Sequence, residues 1–280
     1  MERSTALRLV RDAVDLLTGR RPELRNRVKF FLLSPIYDGF YRWLPLDPHR
    51  ALEQRLPRGT ERVLDLCTGT ALVPAVVAAA RPEATVVGLD LSPEMLAVGR
   101  EKLARLGIRN AHLLRADAGT LPFRSAIFDA VTVSYGLHEL PTAVRERTVR
   151  EVARVLRPGG RLVVADLDRP PRLGWFVEGY LRVGEPAHAR EVLGDGLACL
   201  LHAAGFAVAR EPPRGAIPMQ LLVATPGRGP RPPGLYDPTQ GVTSSRCPRA
   251  RRCGSATRRG PPDPTASTPW LPIALGCPPC

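Results

Sequence analysis

The chain has 280 residues, a formal charge of +13 and 44% hydrophobic residues. That is enough for one full-size domain plus an extension, and the apolar content is ordinary for a globular protein. Two features weaken a nucleic-acid reading of the charge: only Lys29 and Lys102 are lysines, and residues 227–280 contribute +6 through eight Arg and two Asp, leaving +7 on the rest. Arginine, alanine, proline and glycine all have GC-rich codons, so base composition accounts for much of the arginine excess.

Residues 1–57 read as a basic helical cap broken by Pro35, Pro45 and Pro48. The start, MERSTALRLVRDAVDLL, has charges throughout and no apolar signal core. FFLLSPIY is too short to span a bilayer. A soluble cytoplasmic protein without a membrane span is expected.

Residues 58–226 alternate short apolar runs with amphipathic stretches. Strands are predicted at 62–66 (RVLDL), 84–91 (ATVVGLDL), 111–117 (AHLLRAD), 129–136 (DAVTVSYG) and 161–167 (RLVVADL). Helices are predicted at 70–80, with Pro74 tolerated in the first turn, at 92–107 and at 142–156. The second has Ser92 as N-cap, Pro93 at the first helical position and Gly107 as its stop. Arg-Pro-Gly-Gly (157–160) reads as a turn before the fifth strand. Strands alternating with helices of this length predict βαβ units and a doubly wound parallel sheet. A helix over 189–205 is then followed by two strands, 206–212 and 220–226, too close for a crossover helix. They are expected to form an antiparallel hairpin at the edge of the sheet.

Residues 227–280 hold twelve of the thirty prolines and four of the six cysteines. This composition cannot bury a core and predicts disorder. Cys247 and Cys253, and the terminal Cys277 and Cys280, have poor zinc spacing and no neighbouring histidine, so no metal is expected. Cys67 and Cys199 stand alone, which is no disulfide framework.

The chemistry lies at the strand ends. VLDLCTGTA (63–71) is a turn between strand and helix with one glycine, Gly69, whereas a dinucleotide turn needs three. Asp65, Asp90 and Asp117 close the first three predicted strands, so they line one crevice. Three carboxylates would repel a pyrophosphate. They suit a ligand with an ammonium or sulfonium, a ribose diol and an adenine amine. Any one of them alone also suits a turn or a cap.

Four motifs in order, VLDLCTGTA, VVGLDLSPEML, RADAGTLPF and RVLRPGGRLVVADL, resemble the class I S-adenosylmethionine-dependent methyltransferases over about residues 58–226. Within them the chain looks most like the ubiquinone/menaquinone biosynthesis C-methyltransferases and their small-molecule relatives, because YGLHEL (135–140) sits where those enzymes carry a similar aromatic-Gly-Leu stretch. The resemblance implies an α/β fold with a seven-stranded, mostly parallel sheet whose last strand is reversed. It implies S-adenosyl-L-methionine as cofactor, with the loop Thr68, Gly69 and Thr70 close to it. Asp65 would then orient the methionine amino end and Asp90 would accept from the ribose hydroxyls. Asp117 and the backbone of Ala118 would read adenine, while Leu91 and Met95 flank the adenosine. Tyr135 would lie near the sulfur. Cys67 and Ala71 stand where the family often has glycine; both are small and are expected to be tolerated. Tyr37-Asp38 lacks the Met-Asn that follows in the quinone family's signature.

Methyl transfer asks mainly for positioning, although an oxygen or carbon acceptor can also need its proton removed. His138, just past the fourth strand, is the candidate general base or acceptor ligand; a capping histidine is the alternative. The Asn/Asp-Pro-Pro-Tyr run of amino-group methylation is absent from SYGLHEL. Aromatics in 34–44 (Tyr37, Tyr41) and 173–184 (Trp175, Phe176, Tyr180) suit an apolar pocket over the site, or ordinary packing. The expected acceptor is a small apolar or aromatic molecule, with no specific nucleic acid. Competing readings are an RNA or protein methyltransferase, a nicotinamide-dependent enzyme and an inactive cofactor-binding relative.

Overall fold

A computed structural model of the chain describes residues 48–168, 187–211 and 219–227. Most of the N-terminal cap, both aromatic segments and the tail from 228 lie outside these residues. Helix α1 (Pro48–Glu53) precedes β1 (Arg62–Leu66), α2 (Leu72–Ala80), β2 (Thr85–Asp90), α3 (Pro93–Arg105), β3 (Ala111–Arg115) and β4 (Phe128–Ser134). After these come α4 (Thr142–Val155), β5 (Leu156–Leu167), a 3-10 turn (Ala187–Val192), α5 (Gly196–Ala203), β6 (Phe206–Glu211) and β7 (Met219–Pro226).

The seven strands form one sheet in the order β3-β2-β1-β4-β5-β7-β6. Pairs β1–β2, β1–β4, β2–β3 and β4–β5 are parallel, while β7 is antiparallel to both β5 and β6. The expected hairpin is present, but its reversed strand is not the edge. β7 lies between β5 and β6, so the edge strand β6 runs with the parallel set. The central strands are apolar on both faces because both are covered. Leu64, Leu66, Val131, Val133 and Leu162 pack with Val149 and Val152 of α4 and Leu197 and Leu201 of α5. On the other face Val63, Ala130 and Val163 pack with Leu52 of α1 and Val73 and Val77 of α2. Alternate residues of one strand thus enter different cores, as the two-residue strand period requires.

Several element limits differ from expectation: β3 and β4 end at Arg115 and Ser134, each two residues short of its predicted end. The helix predicted over 189–205 is broken: Gly194 has φ +59°, a left-handed turn between the 3-10 segment and α5. β5 begins at Leu156, so Arg-Pro-Gly-Gly lies within the strand as an irregularity between the Phe128–Leu156 and Ala130–Arg161 pairs, with Gly159 at φ +79°. Helix α2 starts at Leu72 because Ala71 is left-handed. The start of α3 is as predicted: the Ser92 hydroxyl accepts from Met95 N at 3.2 Å, with Pro93 in the first turn. Such a cap stabilises a helix by about 1 kcal/mol. Among the described residues no helix is long and apolar enough to cross a membrane.

Candidate active site

The parallel strands β1 and β2 deliver their C-terminal ends, and hence Asp65 and Asp90, to one rim of the sheet. Asp117, expected to close β3, lies instead in the loop two residues past its end at Arg115. The loop after β1 is built from alternating left-handed residues: Cys67 (φ +54°), Gly69 (+53°) and Ala71 (+62°). For a residue with a Cβ this conformation costs about 1–2 kcal/mol. That explains why glycine is common at positions 67 and 71 of the resembling motif: cysteine and alanine fit, but under strain.

Hydrogen bonds hold the loop in place. Thr68 N donates to Leu89 O at 3.0 Å and Ala71 N to Thr68 O at 2.9 Å. Gly69 N donates to Asp90 Oδ2 at 2.8 Å, and the Lys102 ammonium of α3, itself buried, donates to the Thr70 hydroxyl at 3.0 Å.

Asp65 lies beneath this loop and is only 1% exposed. Its two oxygens accept from the hydroxyls of Thr68 (2.6 Å) and Thr132 (2.7 Å), the latter from the adjacent strand β4. Burial raises its carboxyl to about 7, against the lowering effect of the two hydroxyl bonds; nearby Asp90 adds to the rise. Asp90 is half-buried, and Gly69 N and Ser92 N (2.9 Å) each donate to one of its oxygens. Its carboxyl is also raised by burial, partly offset by these backbone donors. Asp117 is exposed, and Oδ1 accepts from Gly119 N at 2.8 Å. Ala118 beside it is buried in the core under α4. Leu91 is 64% exposed, a large apolar side chain open to solvent beside Asp90, whereas Met95 is buried with its methyl end facing Gly69.

A second loop follows β4. Tyr135 is left-handed at φ +52°, and Tyr135 N donates to Ala165 O at 2.8 Å. The next residue touches the first loop: a Cβ on Gly136 would stand 2.5 Å from Cys67 Cβ and 2.9 Å from its Sγ. The two loops are therefore in direct contact at a position that only glycine fits. The Cys67 thiol is held well above its ordinary value, by burial first and then by the carboxylates of Asp90, Asp65, Asp166 and Glu139, so it stays neutral.

His138, the candidate general base or acceptor ligand, is buried between two carboxylates. Nδ1 is 2.6 Å from Asp166 Oδ1 and Nε2 is 3.6 Å from Glu139 Oε1. Burial alone would lower its pKa. The attraction and hydrogen bond of Asp166, with those of Glu139, outweigh it and lift the imidazole to about 10. Both carboxylates favour the imidazolium form, which has no lone pair to take a proton.

Four contributors were missed from the sequence: Asp166, Thr132, Glu139 as a partner of His138, and Lys102. Only Asp166 had a visible signal. It is the acid of VVADL, near the end of β5, and obeys the same strand-end rule that singles out Asp65 and Asp90. Lys102 and Thr132 reach the site through packing between elements distant in sequence.

The fold and the acidic rim define a class of α/β protein whose strand-end carboxylates suit a nucleoside carrying a positive group. Comparison with known proteins is consistent. A methyltransferase-domain family matches residues 63–160. Demethylmenaquinone methyltransferase of Listeria monocytogenes is 42% identical over 166 residues, 57% of this chain and 68% of that protein. The Thermus thermophilus demethylmenaquinone methyltransferase is 38% identical over 148 residues, 51% of this chain and 66% of that protein, so the match spans just under two thirds of its length. A SAM-dependent methyltransferase structure from Aquifex aeolicus superposes with a TM-score of 0.52 at 22% identity, over 64% of this chain and 89% of that one. The chain belongs to the class I S-adenosyl-L-methionine-dependent methyltransferases, among those related to the quinone-biosynthesis enzymes. S-adenosyl-L-methionine is its cofactor.

Proposed function

We propose that the chain methylates a ring carbon of a small aromatic acceptor of the quinol type. The observation that carries this reading is the 42% identity to a demethylmenaquinone methyltransferase. The donor set supports it. Asp90 takes the backbone N–H groups of Gly69, Ser92 and Leu91, which fix its carboxylate at the rim beside the loop, where it would accept from the ribose hydroxyls. Asp117 keeps acceptor capacity for an adenine amine, and Leu91 offers an apolar surface to the base. The row of acids suits an ammonium and a sulfonium and disfavours a pyrophosphate.

Bound S-adenosyl-L-methionine supplies a methyl group activated by its sulfonium. The chain's part is then to orient. Gly69 and its neighbours bring backbone close to the donor. Asp65, whose oxygens are shared with two threonines, acts through Thr68 to set that loop and adds negative charge beneath it. The turn from Tyr135 to Glu139 forms the acceptor side.

The test uses the full chain with methyl-labelled S-adenosyl-L-methionine and a short-chain demethylmenaquinol. Label appearing on the naphthol ring supports the reading; label found only in protein or RNA fractions rejects it. In the same preparation Asp90→Ala should weaken S-adenosylhomocysteine binding about 30-fold or more, because a carboxylate bonding both loop and ligand is worth about 2 kcal/mol or more.

A further inference from the structure

We infer that Asp166 is a positioning residue for methyl transfer: from the end of β5 it holds the turn after β4, and so sets the acceptor side of the site against the donor loop. The inference rests on the methyl-transfer reading above, but not on the quinol. Asp166 is wholly buried, so it acts through the residues it binds.

Its carboxylate gathers four donors. Oδ2 accepts from Leu137 N at 3.0 Å and His138 N at 3.2 Å. Oδ1 accepts from His138 Nδ1 at 2.6 Å and Leu167 N at 2.7 Å. Three of the four come from two consecutive residues of the turn. The turn needs such a hold, because it opens with a left-handed tyrosine, a conformation that persists only where the surroundings over-determine it. Ala165, beside Asp166, takes Tyr135 N, so two neighbouring residues of β5 engage three of the first four residues of the turn. Gly136, between these anchors, is the residue pressed against Cys67 of the donor loop. A shift of the turn therefore changes the spacing between the two halves of the site.

The far end of the turn is held independently. Arg145 donates to Leu140 O and to His188 O, both at 3.0 Å, and His188 Nε2 lies 3.1 Å from Glu139 O. Loss of Asp166 should thus loosen residues 136–138 and leave 140–145 in place.

The experiment compares the full-length chain with Asp166→Asn and, should that variant misfold, Asp166→Glu, which keeps a carboxylate for His138 but displaces it from Leu137 N and His138 N. Three quantities are read: amide hydrogen exchange, S-adenosylhomocysteine affinity by calorimetry, and methyl transfer to a short-chain demethylmenaquinol. The expected result is roughly tenfold faster exchange confined to 136–138, affinity within about threefold of wild type, and kcat lower by about 10–100-fold, since small misplacements carry losses of that order. Unchanged exchange or unchanged turnover overturns the inference. So does an affinity that falls in step with kcat, which would make Asp166 a support of the fold or the donor loop. If the wild type leaves the quinol unmethylated, the quinol reading fails by itself. Exchange and affinity then decide the inference: local opening with intact affinity upholds it, and any other pattern overturns it.

Discussion

Gly136→Ala tests the contact between the two loops. The added Cβ would meet Cys67 Cβ at 2.5 Å, Cys67 Sγ at 2.9 Å and Val133 Cγ1 at 3.2 Å. Rotating the thiol relieves the second contact but not the first, because the Cβ is fixed by a backbone already held at φ +54°. Relief requires moving the donor loop or the turn. Overpacking of this kind costs about 1–3 kcal/mol, and each kcal/mol lowers the melting temperature of a domain this size by roughly 2–4 °C. Cys67→Gly removes both clashing atoms and frees the left-handed φ, so the single variant should be near neutral. The double variant should recover most of the loss, giving a coupling of at least about 1 kcal/mol. Urea unfolding of the four proteins measures the cycle, and S-adenosylhomocysteine calorimetry reports whether the donor loop has moved. A stable Gly136→Ala protein, or strictly additive losses, would refute the contact.

Two further expectations concern pH. The imidazole of His138 is raised from 6.5 to about 10, so its pairing stabilises the fold fully below about pH 6.5, and this contribution is lost as pH rises through 10. His138→Gln should therefore cost about 3–5 kcal/mol at pH 6, as breaking a buried pair does, and the gap to wild type should narrow at pH 10.5; a constant gap in urea unfolding would show that His138 is not the buried cation. Asp65 is also raised, to about 7, so its folded form binds the extra proton between pH 3.8 and 7, and stability falls across that window as pH increases. Asp65→Asn should flatten this slope. In wild type at pH 6 a positively charged ligand should release a proton from Asp65, seen as a buffer-dependent heat of S-adenosyl-L-methionine binding that diminishes at pH 8; equal heats in all buffers would contradict it.

The strands and the order of motifs were legible because each is written in a few consecutive residues. RVLDL is apolar without alternation because both its faces are covered, and Ser-Pro-Glu marks a helix start through its own side chains. Asp65 and Asp90 were legible as strand-end acids. Where the reading missed, the cause was not local. The 189–205 pattern looks like one helix, yet Gly194 turns left-handed between its halves. His138 looks like an isolated imidazole in sequence and is paired with a buried carboxylate in the fold, since its partner Asp166 lies 28 positions away.

By itself the sequence determined the α/β class, the parallel sheet with its reversed last strand, and the acidic rim, because period, caps and turns act within a few residues. Tertiary structure alone decided the strand order, with β7 between β5 and β6. It also decided the strain at Cys67 and Ala71, the reach of Lys102 to Thr70, and the charge of His138. Each of these depends on distances between residues that only packing brings together. Charge follows the same rule, because a carboxylate acts on an imidazole through space and burial, whatever their separation along the chain.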